Sequence, residues 1–326
     1  MPRIDLDAVE DEWEDAPQAP PRQRRAPKVA VAAEGPEARV VGLHKGWLDV
    51  TLEGQVLAAV YGGQMRGEQV AVGDRVRVKP GRHESDTARV VERFERQSVL
   101  TRTADDTIAE ERVIVANADL AIAVIGPQEV EVGARFVDRV LVAAGAGGLA
   151  GALCINKMDL GIDTREVAQL YRSLGYPVVL TSAKTGEGID DLRGLLAGRW
   201  TVMTGHSGVG KSSLFNHLVP QANLEVAELG RFGGRHTTVS ARAMAVPGLD
   251  GAWLVDTPGV RACGLGHVAP DELAEHFPEL AGLECEMPGC LHDGEPGCAA
   301  PALGGVSLHA ARLDSYRRFL AVLRGD

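Results

Sequence analysis

Residues 205–212 read Gly-His-Ser-Gly-Val-Gly-Lys-Ser, and this glycine-rich spacing before Lys-Ser is one that wraps phosphate. Gly205, His206, Ser207, Gly208, Val209 and Gly210 supply a loop whose backbone N–H groups can face an anion. The helix expected from Lys211 adds the partial positive charge of its N-terminus. Lys211 would reach the β- and γ-phosphates, Ser212 would ligate Mg²⁺, and Ser213 would donate beside it. Asp256-Thr257-Pro258-Gly259 closes the apolar run Ala-Trp-Leu-Val. An acid there can hold Mg²⁺ through water, and the Gly259 N–H can meet a γ-phosphate because no side chain blocks it.

Asn156-Lys157-Met158-Asp159 ends the run Gly-Ala-Leu-Cys-Ile. The Asp159 carboxylate can accept two hydrogen bonds from guanine, at N1–H and the exocyclic amine. Adenine would turn a lone pair toward it, and a site built on such bonds rejects the wrong base by roughly 10⁴-fold or more. Asn156 would brace the loop, and the Lys157 stem would lie over the base. Ser182-Ala183-Lys184 follows a second apolar run, where the Ala183 N–H can meet guanine O6. GTP and GDP are therefore the expected ligands, with Mg²⁺. Arg235-His236-Thr237-Thr238 lies between the phosphate loop and Asp256, where a first switch belongs. Either Thr237 or Thr238 would close on Mg²⁺; Thr238 is carried as the catalytic and magnesium candidate beside Lys211. The position after Asp-x-x-Gly is Val260, which cannot orient water, so unaided hydrolysis should be slow. His236 is the first candidate for that role and His206 its rival.

A third constellation lies near the C-terminus. Cys285, Cys290, His292 and Cys298 are separated by four, one and five residues. Three thiolates and one imidazole suit a closed, tetrahedral, structural Zn²⁺ site. The chain has five cysteines, too few and too odd for a disulfide framework; Cys154 and Cys263 read as packed residues.

The elements that must position these groups follow from periodicity. Residues 38–98 read as five short strands separated by glycines, a small OB-like β-barrel. From 110 onward apolar strands alternate with helical stretches, the rhythm of a parallel sheet covered by helices. Beyond 264, Asp-Glu-Leu-Ala-Glu-His-Phe-Pro-Glu-Leu and residues 307–323 read as two helices around the Cys-rich loop. Expected boundaries are a disordered tail at 1–35, a barrel at 36–100, the GTPase domain at 101–263 and a helical zinc domain at 264–326. In common GTPases the phosphate loop comes first and the base-reading motifs last. Here the order is rotated, a circular permutation of one domain.

On these residues, with Ala116-Asn117-Ala118-Asp119 before an apolar strand and Gly-Arg-His-Thr-Thr at 234–238, the chain resembles the ribosome small subunit-dependent GTPases, the RsgA or YjeQ family. The resemblance covers about residues 36–326. It implies an OB-fold, a permuted GTPase and a zinc domain. It also implies a role in late maturation of the small ribosomal subunit, with rRNA contact and hydrolysis stimulated by that subunit. His236 matches the family's switch histidine, although Gly233-Gly234-Arg235 departs from the basic-Gly-basic pattern expected before it. A nucleotide-switched binding module uses the same residues. A small-molecule kinase is disfavoured by Asn156–Asp159 and by the lack of an acceptor constellation.

Composition sets outer limits. The formal net charge is −11, unsuited to general polyanion binding. Residues 36–98 hold ten Lys/Arg against nine Asp/Glu, and 22–28 hold Arg22, Arg24, Arg25 and Lys28, so RNA contact would be local. No apolar run reaches the roughly 18–20 residues of a membrane span. A monomer in the cytoplasm, with no membrane partner, is expected. Because Asp256–Gly259 nearly abuts the zinc region, permutation should tie that region to the second switch.

Overall fold

Alternation of apolar and polar residues builds the first domain. The computed structural model describes residues 35–79, 81, 87–103, 111–222, 241–257, 263–305 and 307–325. Strands β1 (Glu37–Leu43), β2 (Trp47–Leu52), β3 (Gln55–Tyr61), β4 (Arg75–Lys79) and β5 (Ala88–Arg93) form a sheet in the order β1-β2-β3-β5-β4. Pairing of β4 back onto β1 closes it into a five-stranded barrel of OB type. The inward set Ala38, Val40, Leu48, Val50, Ala59, Val76, Val78 and Val90 fills the barrel with small β-branched volume in place of aromatics.

A hairpin of β6 (Val99–Thr103) and β7 (Glu111–Ala116) leads into the second domain. There follow β8 (Leu120–Ile125), α1 (Val130–Ala146), β9 (Ala150–Ile155), α2 (Arg165–Ser173), β10 (Val178–Leu180), α3 (Ile189–Leu196), β11 (Trp200–Thr204), α4 (Lys211–Leu218), β12 (Arg242–Ala245) and β13 (Trp253–Asp256). Their spatial order is β10-β9-β8-β11-β13-β12, parallel except for β12. Every residue of β8 is buried, as expected for a central strand covered on both faces. From β8 the chain winds outward through β9 and β10, then returns to lay β11 on the other side of β8 and winds outward again to β13. The crevice beyond the strand ends at β8 and β11 is thus the topological switch point, where ligands of open α/β sheets bind.

Two apolar layers flank the sheet. One joins α1 and α2 to α5 (Ser307–Arg324), through Phe136, Val140, Tyr171, Leu313, Tyr316 and Leu320. The other joins α3 and α4, through Leu192, Leu196, Leu214, Phe215 and Leu218. The C-terminal region therefore sits on the α1 face. One expected helix is absent: Leu273–His276 is only a 3-10 turn. Pro278 excludes the helical conformation from the residue before it, and Phe277 is extended at φ −116° and ψ 98°.

The barrel does not hang free of the sheet. Strand β1 also pairs with β12, at Gly42 opposite Arg242, so barrel and GTPase form one sheet of eleven strands. At the lower edge the Arg39 guanidinium lies 3.5 Å from the Trp200 ring centroid and donates to the Asn117 carbonyl. Asn117 holds φ +51° and donates from Nδ2 to Gly73 O at 3.0 Å. Gly73 is at φ +90°, and a Cβ there would lie 1.9 Å from Ala116 O. Asp119 accepts the Trp200 N–H at 2.7 Å. Residues 116–119 are thus the seam between barrel and sheet.

Candidate guanine-nucleotide site and metal centre

The strand ends deliver both base-reading segments to one place. Asn156 follows β9, and its side chain bonds in three directions. Nδ2 donates to Val209 O at 2.8 Å, in the glycine-rich loop. Oδ1 accepts the Thr181 hydroxyl at 3.1 Å and the Ala183 N–H at 3.0 Å, both in the segment after β10. One buried amide thus ties the phosphate loop to both base-reading loops. Gly210, at φ +95°, makes room for it, because a Cβ would lie 2.3 Å from Asn156 Nδ2. Lys157 holds a left-handed φ of 69°, uncommon for a side-chain-bearing residue. This turns the chain so that Asp159 faces Ser182, whose hydroxyl donates to Asp159 Oδ1 at 2.7 Å. Lys184 Nζ is 3.7 Å from Asp159 Oδ2. The Ser182 hydroxyl foremost, then the backbone and Lys184, hold the Asp159 carboxyl below the usual carboxylate range, ionised for two N–H donors. The expected Ala183 N–H donor is engaged by Asn156 Oδ1, so guanine O6 must share or take over that bond.

The phosphate end follows the same logic. Residues 205–210 leave β11 and enter α4 at Lys211. The Lys211 ammonium donates to Gly205 O at 2.6 Å and His206 O at 2.8 Å, across the concave side of the loop. Burial pulls its pKa down, opposed by the charges of Asp256 and Glu129. Asp256, the last residue of β13, is pushed up by burial and held back by Lys211. Ser212 and Ser213 lie in the first turn of α4. Lys211 and Ser212, in the first turn of the helix that follows β11, and Asp256, at the end of the neighbouring parallel strand β13, make a donor set of hard oxygens and one cation that fits a Mg²⁺-bound triphosphate. His206 packs against Phe136, with ring centroids 4.6 Å apart. Gly259, Val260, Arg235, His236, Thr237 and Thr238 lie outside the described residues, as does the tail through residue 34.

Cys285, Cys290, His292 and Cys298 converge with all ligand atoms within 4.8 Å of one another. From His292 Nδ1 the three sulfurs lie at 3.5, 3.8 and 3.5 Å. A tetrahedron with Zn–S of about 2.3 Å and Zn–N of about 2.0 Å has N–S edges of about 3.5 Å, so the set fits zinc. Backbone N–H groups of His292 and Ala299 point at the Cys290 and Cys285 sulfurs, at 3.4 and 3.3 Å. Glu295 closes the loop by accepting the Leu291 N–H at 3.0 Å and the Asp293 N–H at 2.8 Å.

Comparison with known proteins agrees with this geometry. A family model described as RsgA GTPase matches residues 93–266. The small ribosomal subunit biogenesis GTPase RsgA of Ectopseudomonas mendocina (strain ymp) is 38% identical over 84% of this chain and 82% of its own. The chain belongs to the RsgA GTPase family. It is accordingly a GTP hydrolase. Another family member, from Moorella thermoacetica (strain ATCC 39073 / JCM 9320), is 37% identical over 87% of this chain and 96% of its own. Among solved structures, that of YjeQ from Thermotoga maritima superposes with a TM-score of 0.68 at 29% identity, covering 89% of this chain and 99% of that one. YloQ, described as a circularly permuted GTPase, superposes at 0.67 with 26% identity, over 90% and 96%. The rotated motif order is thus a trait of the family fold.

Sequence reading missed several residues that support the site. Arg39 fixes the seam below it, together with Asn117 and Asp119, which the sequence motif at 116–119 singles out without a structural role. Arg312, on α5, is buried between Asp138 and Glu279. His217, on α4, bonds to Ala183 O at 2.5 Å. Arg39, Arg312 and His217 have no local signal, because the partners named here lie more than 30 residues away in the chain.

Proposed function

We propose that this GTPase acts in late maturation of the small ribosomal subunit, hydrolysing GTP to GDP and phosphate at a rate raised by the subunit. The observation that carries the nucleotide assignment is the triple bonding of Asn156, which makes phosphate grip and base reading one rigid unit. Phosphoryl transfer is mainly positioning and charge stabilisation. Lys211 and the loop N–H groups hold the β- and γ-phosphates. Asp159, Ser182, Ala183 and Lys184 orient guanine, and Lys157 covers it. Ser212, Asp256 and a switch threonine, Thr237 or Thr238, hold magnesium, which when bound neutralises charge between the β- and γ-phosphates. Val260 cannot orient water, so His236 takes that role when the subunit stimulates hydrolysis. The barrel (36–100) and the zinc region (264–326) flank the GTPase domain (101–263) and contact rRNA. The Cys285, Cys290, His292 and Cys298 set binds one structural Zn²⁺. The protein works as a monomer in the cytoplasm; among the described residues no helix is long and apolar enough to cross a membrane.

The test is steady-state GTP hydrolysis with and without purified small subunits, run beside Asp159→Asn. Stimulation of many-fold is expected, and the variant should prefer xanthosine over guanosine nucleotides. Turnover indifferent to the subunit would favour a plain nucleotide-switched binding module. Retained guanosine preference in Asp159→Asn would remove the base-reading assignment.

A further inference from the structure

The segment proposed to read guanine is gripped from a side that the GTPase motifs do not account for. Ala183 is held at both ends of its main chain. Its N–H donates to Asn156 Oδ1 at 3.0 Å, and its carbonyl receives His217 Nε2 at 2.5 Å. Asn156 belongs to the end of β9; His217 belongs to the last turn of α4, six residues after Lys211. The two bonds come from different elements and fix the peptide from opposite directions. The peptide joining Ala183 to Lys184 is trans, as are all the described peptide bonds. In a trans peptide the C=O and the following N–H point oppositely. A donor that fixes the Ala183 carbonyl therefore also fixes the direction of the Lys184 N–H. The two N–H groups able to meet guanine O6, those of Ala183 and Lys184, are both set by this pair of bonds.

We infer that His217 is a positioning residue for guanine recognition, acting through the Ala183 carbonyl to aim the O6-reading backbone. The inference deepens the nucleotide assignment above and rests on it. It also gives one helix two tasks. The first turn of α4 carries Lys211 and Ser212 at the phosphate end, and its last turn carries the brace of the base end. At 1.5 Å per residue the two lie only about 9 Å apart along the helix. His217 is solvent-exposed, so its replacement removes the hydrogen bond without opening a cavity.

The test measures release of fluorescent GDP and of fluorescent 6-thioguanosine diphosphate, which keeps the N1–H and exocyclic amine read by Asp159 but replaces O6 by sulfur, a weak hydrogen-bond acceptor. Full-length wild type, His217→Ala and His217→Gln are compared, with Asp159→Asn as a control. His217→Ala should release GDP about five- to tenfold faster, the scale of one hydrogen bond. Release of the 6-thioguanosine nucleotide should change much less, because its sulfur makes little of the bond that His217 aims. His217→Gln, whose amide can donate to the same carbonyl, should restore GDP release. Unchanged GDP release in His217→Ala, or equal acceleration of both nucleotides, would overturn the inference. If Asp159→Asn turns preference to xanthosine while His217→Ala has no effect, only the role of His217 falls. If Asp159→Asn keeps its guanosine preference, the base-reading site and this inference fall together.

Discussion

At the scale of single residues, the site depends on close approaches that permit one side chain each. Gly210 shows this most sharply. Its φ of +95° is in the left-handed region, and a Cβ would meet Asn156 Nδ2 at 2.3 Å. The left-handed conformation alone costs a side-chain-bearing residue roughly 1–2 kcal/mol. The contact costs more, because it pushes Asn156 off Val209 O and so uncouples the phosphate loop from both base-reading loops. Gly210→Ala should therefore lower GTP affinity by more than tenfold, while thermal unfolding shows a folded chain. Isothermal titration with GTP checks the first outcome and calorimetric scanning the second. Wild-type affinity in that variant would mean that the Asn156 link is dispensable. The chemistry at this scale was legible in advance because Asp159, Lys211 and the cysteine set occur in short motifs. His217, by contrast, is an ordinary polar residue whose partner, the Ala183 carbonyl, only folding supplies.

At the scale of elements, the docking of α5 on α1 decides where the zinc region sits. Leu313, Tyr316, Phe319 and Leu320 give α5 its apolar face, and full burial of such a side chain is worth about 1.5–3 kcal/mol. Arg312 breaks that face with a charge, yet its side chain is only 2% exposed. Asp138 on α1 and Glu279 both accept from its guanidinium, and Tyr171 donates to Asp138 at 2.8 Å. Burial works to lower the Arg312 pKa, and the two carboxylates more than reverse that and raise it. Arg312→Ala strands two buried carboxylates, a loss of about 3–5 kcal/mol for a broken buried pair. Hydrogen exchange should then speed up in α5 and in the facing turns of α1 before the sheet is affected. The triple replacement Arg312→Met, Asp138→Asn and Glu279→Gln should recover most of the loss in urea unfolding, since no charge is left stranded. Periodicity made the barrel strands, the parallel sheet, α1, α2 and α5 readable. It failed at residues 271–280, where the apolar spacing was helical but Pro278 forbade the helix. The pairing of β1 with β12 was hidden for another reason: register between domains leaves no trace in either segment alone.

At the scale of the whole molecule, permutation raises the question of what the second switch can move. The motif order alone suggests that the zinc region is tethered to Asp256–Gly259 and follows it. The anchors found after that segment argue for a different division of motion. Cys263 O receives the Arg139 guanidinium at 2.7 Å, and the Gly264 N–H donates to Thr101 O at 2.9 Å. The chain is thus pinned to α1 and to β6 before the zinc region begins, and α5 returns to pin the region to α1 again. These anchors on α1 and β6 resist transmission of a change at Asp256 into the zinc region. The opposite flank is connected more directly: Asp256 pairs across β12 with Arg242, and Arg242 pairs with Gly42 of the barrel. One row of three residues therefore runs from the magnesium-side acid into β1. The expectation is state-dependent motion of the barrel and a fixed seat for the zinc region. Spin labels at the exposed positions Gln169 on α2 and Ala311 on α5 should report the same distance in the GDP and GTP-analogue states. A label pair joining Gln169 to the exposed Gln55, at the start of β3, should report two different distances. A shift confined to the Gln169–Ala311 pair would restore the tether and reject the row through Arg242 as the route of coupling.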